Sequence, residues 1–338
     1  MKTYGILPLN DIQRISSRLT SDFRELRNVN FIIVGASGFL GKWIATSLAY
    51  MQSQDLIQGR LNFVVRDSDK VSELKSLPNL PNLKIVPIRS MDQTTFSHME
   101  GDRTVVIYAA SSTSNSGKPL KDNPESYLAL PKILMNCLPK SETVFVHLSS
   151  GAVYTPSSRL KNGILRSEKV QSSSTDSYTA EKIILEQWLE SKKNELNLIT
   201  RNPRLFSFYG PGLHLDRHFA IGEFMKNGTR REPIIISGNP KNLRSYLHPS
   251  DAVHQIFKNC LVRDPTNAQI GSANVMNIET VAHVIAREFG VDVNILKAKS
   301  NNVDNYVPLD IPILPEKDFD LGISEWREWL EITQHFLN

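Results

Sequence analysis

Asn30-Phe31-Ile32-Ile33-Val34, followed at once by Gly35-Ala36-Ser37-Gly38-Phe39-Leu40-Gly41, decides the fold. The first five residues are a short apolar run rich in β-branched side chains, which reads as a strand buried on both faces. The next seven carry three glycines and lead into a helical pattern over residues 42–51. Chemistry at such a turn needs glycine: the chain bends sharply, the backbone approaches a pyrophosphate, and the helix packs tightly on the strand. The helix N-terminus then offers unpaired N–H groups and a positive dipole end to the phosphates. The competing reading is a tight turn that holds nothing. The position of the glycines, directly between a buried strand and a helix, favours the dinucleotide loop.

Outward from this stretch the pattern repeats. Upstream, residues 8–27 place Ile12, Ile15, Leu19, Phe23 and Leu26 at helical spacing, with Asn10 or Asp11 available as a cap. Downstream, strands are expected at Leu61–Val65, Leu83–Pro87, Thr104–Tyr108, 143–148 and Leu198–Arg201, with helices at 127–137 and 178–192. Alternating strands and helices imply an α/β fold, a doubly wound parallel sheet of the Rossmann type. Beyond residue 205 the pattern loosens, with Pro and Gly at 210–212, 233, 238 and 240, and a smaller irregular lobe is expected. The expected division is a dinucleotide-binding domain over 1–206 with a return segment at about 240–268. The substrate-binding lobe then takes 207–239 and 269–338.

Composition narrows the function. The 338 residues carry a formal net charge of only +4, which gives nucleic-acid binding no electrostatic footprint. Cys137 and Cys260 lie far apart without metal-ligand spacing, so neither a disulfide framework nor a metal site is expected. Absence of a membrane-length apolar run or a leader pattern makes a cytoplasmic location, off the membrane, the expectation.

The second strand ends in Val65-Arg66-Asp67. An acidic residue there takes the ribose hydroxyls of NAD, whereas arginine suits the extra phosphate of NADP. Both readings stand; Arg66 at the tip inclines the choice to NADP, and it could also stack on adenine or be a solvated charge.

Tyr178 and Lys182 sit one helical turn apart on one face. A phenol with an ordinary pKa of about 10 is a poor base at neutral pH, and a nearby ammonium favours the phenolate. The strand at 143–148 runs into Ser149-Ser150-Gly151-Ala152. A hydroxyl leaving a strand's carboxyl end faces the crevice where doubly wound folds bind ligands. Ser150 is therefore the candidate to hold the reacting oxygen, and Tyr178 to move its proton. Singly, each signal reads as turn chemistry or a solvated pair; their order behind a glycine loop is what gives them weight.

With these residues in place the chain resembles the extended short-chain dehydrogenase/reductase family, the NAD(P)-dependent nucleotide-sugar epimerases, dehydratases and reductases. The resemblance rests on residues 35–41, 106–110 (VIYAA), 146–154 (VHLSSGAVY), Tyr178 with Lys182, 204–212 (RLFSFYGPG) and 244–251 (RSYLHPSD). A bacterial subgroup also shares the leading helix, Gly41-Lys42-Trp43, the Arg66-Asp67 pair and the 215–222 segment. The resemblance implies catalysis by Ser150, Tyr178 and Lys182. It implies cofactor binding by Gly35, Ser37, Gly38, Phe39, Leu40, Gly41, Arg66, Ala109 and Ala110, together with Tyr178 and Lys182. It further implies nucleotide-diphosphate sugar contacts from Ser112, Ser150, Ser207, His218, Phe219 and Arg244, and a homodimer through the helices at 127–137 and 178–192. Arg244 suits phosphate because guanidinium grips oxygens in a bidentate way.

One departure bears on the reaction. Dehydratases of this family carry an acidic pair after the catalytic hydroxyl residue, and here those positions are Gly151 and Ala152. The expected activity is thus hydride transfer at a sugar carbon, C4, by an epimerase or a ketosugar reductase. The rivals are a non-catalytic dinucleotide-binding scaffold or sensor on the same fold, and a reductase of a non-nucleotide carbonyl compound.

Overall fold

The structure is a computed structural model that describes residues 1–66, 74–99, 103–111, 123–139, 141–193, 198–215, 219–261, 268–296 and 303–337. Its centre is a six-stranded parallel sheet: β1 (Asn30–Val34), β2 (Leu61–Val65), β3 (Leu83–Pro87), β4 (Thr104–Tyr108), β5 (Thr143–His147) and β6 (Leu198–Arg201). The strands lie in the order β3-β2-β1-β4-β5-β6. The order reverses between β1 and β4, and ligands of open α/β sheets bind beyond the strand ends at such a point.

The apolar runs follow from burial on both faces. In β1, Phe31 and Ile33 enter one core, with Ile12 and Ile15 of α1 (Leu9–Arg18) and Trp43, Ile44 and Leu48 of α2 (Phe39–Ser53). Ile32 and Val34 enter the opposite core, with Leu134 of α3 (Ala129–Cys137) and Leu185 and Leu189 of α4 (Ser177–Lys192). Each fully buried side chain of this size contributes about 1.5–3 kcal/mol.

A separate core gathers α5 (Ala220–Thr229), α7 (Ile278–Phe289) and α8 (Phe319–Leu337), with Trp326 and Met225 fully buried. The helix between them in sequence, α6 (Pro249–Leu261), places Ala252, Val253, Ile256 and Phe257 in the first sheet core instead.

Three local expectations are corrected. Helix α1 is capped by Pro8, without a side-chain hydrogen bond, and not by Asn10 or Asp11. Asp11 is buried in the first turn and pairs with Lys317 at 2.5 Å, a long-range partner that outcompetes a local cap. Helix α2 starts at Phe39, so the last three residues of the glycine stretch form its first turn. The strand at 143–148 ends at His147. The chain then steps sideways, and Ser149–Ser150 pairs in parallel with Arg204–Leu205, itself beside Gln269–Ile270.

Candidate active site

The glycine loop is built so that only glycine fits. Gly35 has φ +83°, and a Cβ there would lie 2.8 Å from the Ala110 nitrogen. A Cβ on Gly41 would meet the Gly35 carbonyl oxygen at 2.0 Å. The loop is thereby pressed against the end of β4, where Ala109 N–H donates to the Val34 carbonyl at 2.9 Å. Gly38 caps α2 with no side chain to fill the first-turn donors, and it is exposed. Ser37, Phe39 and Leu40 are partly buried around it. An open helix N-terminus in a backbone cradle fits the pyrophosphate of a dinucleotide. Arg66 is exposed directly after β2, while Asp67 lies outside the described residues.

Two strands along, Ser150 is fixed by the sideways step after β5. Its hydroxyl accepts the Ala152 N–H at 3.2 Å and lies 3.0 Å from the Tyr306 Oη. Below it, Ser149 Oγ donates to Glu186 at 2.5 Å, and Glu186 also accepts from Arg204 at 2.9 and 3.2 Å. This buried pair ties α4 to the strand segments that carry the serines.

Asp176 caps α4 through the Thr179 N–H at 2.8 Å, and the first turns of the helix present Tyr178 and Lys182. Lys182 is buried, and its Nζ donates to the Leu148 carbonyl at 2.8 Å while lying 5.8 Å from the Tyr178 ring centroid. Ser150, Tyr178 and Lys182 are therefore brought together at the carboxyl end of β5.

The electrostatics differ from the sequence expectation. Burial pushes the Tyr178 phenol well above its ordinary value, with Tyr306 raising it further and the Ser150 hydroxyl pulling it down. Burial lowers Lys182, whose ammonium is directed at a backbone carbonyl rather than at the phenol. In the chain by itself Tyr178 is thus a protonated acid at neutral pH.

The remaining candidates are spread out. Ser207 lies on Ser207–Phe208, paired with Tyr246–Leu247. Arg244 is on the same small sheet, and its guanidinium holds Asp304 at 3.0 Å and the Leu243 carbonyl at 2.9 Å. Phe219 is exposed at the start of α5. Ser112 and His218 lie outside the described residues.

Tyr306 is the residue at this site that the sequence did not point to. It comes from an aperiodic segment 156 positions from Ser150, and no spacing rule connects the two. Arg204 stands inside a quoted stretch, but its pairing with Glu186 has no local signal either. Among the described residues, no group of His, Cys, Asp and Glu is arranged to hold a metal ion, and no helix is long and apolar enough to cross a membrane.

Comparison with known proteins agrees with this architecture. The UDP-N-acetylglucosamine 4-epimerase of Methanobrevibacter ruminantium M1, solved with UDP-N-acetylmuramic acid, superposes with a TM-score of 0.71 at 20% identity, covering 91% of this chain and 99% of that one. The dTDP-glucose 4,6-dehydratase DesIV of Streptomyces venezuelae, solved with NAD and TYD bound, gives 0.73 at 17% identity, covering 91% and 98%. The UDP-glucuronic acid 4-epimerase of Bacillus cereus, solved with UDP-glucuronic acid and NAD, gives 0.66 at 16% identity, covering 90% and 99%. These likenesses establish a shared fold. No curated protein matches the chain by sequence. The NAD dependent epimerase/dehydratase family matches residues 31–278, which take in the glycine cradle, the six sheet strands save Asn30, and the Ser150, Tyr178 and Lys182 cluster. The chain belongs to that family.

Proposed function

We propose that the protein is an epimerase or 4-ketosugar reductase of a nucleotide-diphosphate sugar, working at the sugar C4. The observation that carries this reading is the convergence of Ser150, Tyr178 and Lys182 at the carboxyl end of β5, next to β4, against whose end the glycine cradle is pressed. NAD or NADP, when bound, supplies the hydride acceptor or donor. Gly35, Ser37, Gly38, Phe39, Leu40, Gly41, Ala109 and Ala110 would hold it. Arg66 suits the 2′-phosphate of NADP, whereas NAD is named with two of the solved relatives.

Tyr178 is the general acid/base. As a phenol it gives its proton to a C4 ketone oxygen; as a phenolate it takes the proton of a C4 hydroxyl. Ser150 hydrogen-bonds the same oxygen, and Lys182 places a cation close by and anchors the cofactor ribose. Ser207, Phe219 and Arg244 mark the nucleotide side of the pocket. Gly151 and Ala152 carry no proton-transfer group, which argues against elimination of water from the sugar. Residues 1–206 with the return segment 240–268 form the dinucleotide domain, the remainder forms the substrate lobe, and α3 and α4 carry a homodimer.

Native mass spectrometry of the purified chain, followed by a nucleotide-sugar screen, tests this. Retained NAD with interconversion of C4 epimers indicates the epimerase, and consumption of NADPH by a ketosugar indicates the reductase. Tyr178→Phe is expected to lower turnover by about 10²–10⁴-fold, the usual contribution of general acid/base catalysis. The same spectrum gives the dimer mass. Failure to bind either dinucleotide overturns the reading.

A further inference from the structure

Two arginines from distant parts of the chain meet on one carboxylate beside the site. Arg159 follows the segment that carries Ser150, and Arg244 lies on the small sheet with Ser207. Asp304 receives both. Arg159 grips it in a bidentate way, its Nε lying 2.7 Å from one oxygen and a terminal nitrogen 3.1 Å from the other. Arg244 reaches that second oxygen alone, at 3.0 Å. Its other terminal nitrogen is committed to backbone, to the Leu243 carbonyl at 2.9 Å and to the Asp304 carbonyl. Main chain therefore fixes the guanidinium plane of Arg244, whichever anion the remaining nitrogens face.

Asp304 sets one negative charge between two positive ones. Among the described residues neither arginine has a second carboxylate within ion-pair distance, so one positive charge is left over. The side chains of Arg159, Asp304 and Arg244 are 32%, 40% and 18% exposed, and an anion from solution can reach them. The two contacts of Asp304 are unequal. A bidentate fork is the stronger, so Arg244 is the partner that leaves first, and Asp304 then still has Arg159 as its counter-charge. Both are braced to stay: the Asp304 N–H donates to Asn242 at 2.9 Å, and the Arg159 guanidinium lies 5.0 Å from the Tyr306 ring centroid. The exchange leaves no charge buried and unpaired, and a diphosphate offers Arg244 more negative charge than one carboxylate oxygen does.

We propose that Asp304 is an internal anion that holds the place of the substrate diphosphate on Arg244, and that Arg159 keeps Asp304 when the diphosphate displaces it. This deepens the function proposed above and rests on its placing of Arg244 at the nucleotide side of the pocket. Asp304 thereby sets a threshold for entry: a ligand carboxylate gains nothing by exchanging with it, whereas a phosphate does. A cluster that merely pins residues 304–306 to the loop at 159 would respond with the opposite sign, because loss of the carboxylate would loosen Arg244.

The test is calorimetric titration of the full-length chain with inorganic pyrophosphate, which carries neither base nor sugar, with NAD in excess so that the glycine cradle is covered. Asp304→Asn keeps the shape and an oxygen acceptor but removes the charge. It is expected to tighten pyrophosphate binding about fivefold, the upper end for a partly exposed ion pair. Arg159→Met leaves Asp304 with Arg244 alone and is expected to weaken binding, a loss that Asp304→Asn in the same chain should largely erase. Arg244→Met is expected to abolish binding, and malonate, a dicarboxylate, to bind the natural chain far more weakly than pyrophosphate. Unchanged or weaker binding in Asp304→Asn overturns the proposal. So does an Arg159→Met loss that Asp304→Asn leaves undiminished, a pyrophosphate signal that survives Arg244→Met, or malonate binding as tight as that of pyrophosphate. Absence of binding to the natural chain and to Asp304→Asn alike overturns it too. Because the readout needs no turnover, failure to convert any nucleotide sugar would count against the proposed function alone.

Discussion

Lys182 brings an ammonium into a site where only 3% of the residue's surface meets solvent, and among the described residues no carboxylate lies within ion-pair distance of it. Its hydrogen bond to the Leu148 carbonyl offsets only part of the lost hydration. The charged form is therefore penalised in the fold, which is why its pKa lies below the ordinary 10.5. The unfolded chain then binds more protons than the folded one between the depressed value and 10.5, and stability rises with pH across that window. Lys182→Met is expected to raise stability at pH 7 by on the order of 1 kcal/mol while abolishing turnover, the pattern of a site that trades stability for function. Urea unfolding at several pH values checks it: the gain over the natural chain should shrink as pH approaches 10.5. A gain independent of pH would refute a charge-burial origin.

Helix α1 shows what the next scale adds. Its apolar face is plain in the spacing of Ile12, Ile15 and Leu19, all fully buried. Its polar face is organised by partners far along the chain. Asp251 of α6 is buried and accepts from Arg14 at 2.8 Å, from Arg18, and from the Lys317 N–H at 2.8 Å. Lys317 in turn pairs with Asp11 and Glu325. Asp251→Ala leaves two arginines without their shared counter-charge, and unfolding free energy is expected to fall by about 3–5 kcal/mol, the usual effect of breaking a buried pair. A drop within the few tenths typical of a surface site would show that the network is solvated. The same helix marks where sequence reading reaches its limit. The four central sheet strands were legible because burial on both faces leaves largely apolar runs, the partly buried edge strands Leu83–Pro87 and Leu198–Arg201 from their place in the alternation, and Tyr178 and Lys182 because one helix carries both. The true role of Asp11 was not, since a first-turn acid reads as a cap unless a lysine 306 positions away is known to reach it. Tyr306 was hidden for the same reason: its neighbours in sequence have no period, and its contact with Ser150 exists only after the sheet has formed.

At the scale of the whole molecule, His147, His248 and His254 are buried and kept neutral. Burial lowers His147 and His248 well below the ordinary 6.5 and His254 to about 4. Below 6.5 the unfolded chain takes up protons that the folded chain refuses, so the stability they contribute is complete above 6.5 and is lost as pH falls towards 4. The urea midpoint is expected to drop steeply over that interval, and His254→Gln to make the drop shallower by up to about 1.4 kcal/mol per pH unit. An unchanged slope in the variant would exclude His254 as a contributor. His248 also packs edge-on between Trp43 and Tyr209, at 5.6 and 5.4 Å, and Trp43 Nε1 donates to the Pro211 carbonyl at 2.8 Å. Trp43 belongs to α2, the helix that opens on the glycine cradle, while Pro211 leads the chain out towards α5. The indole is therefore a rivet between the helix that opens on the glycine cradle and the segment that leads into the second core.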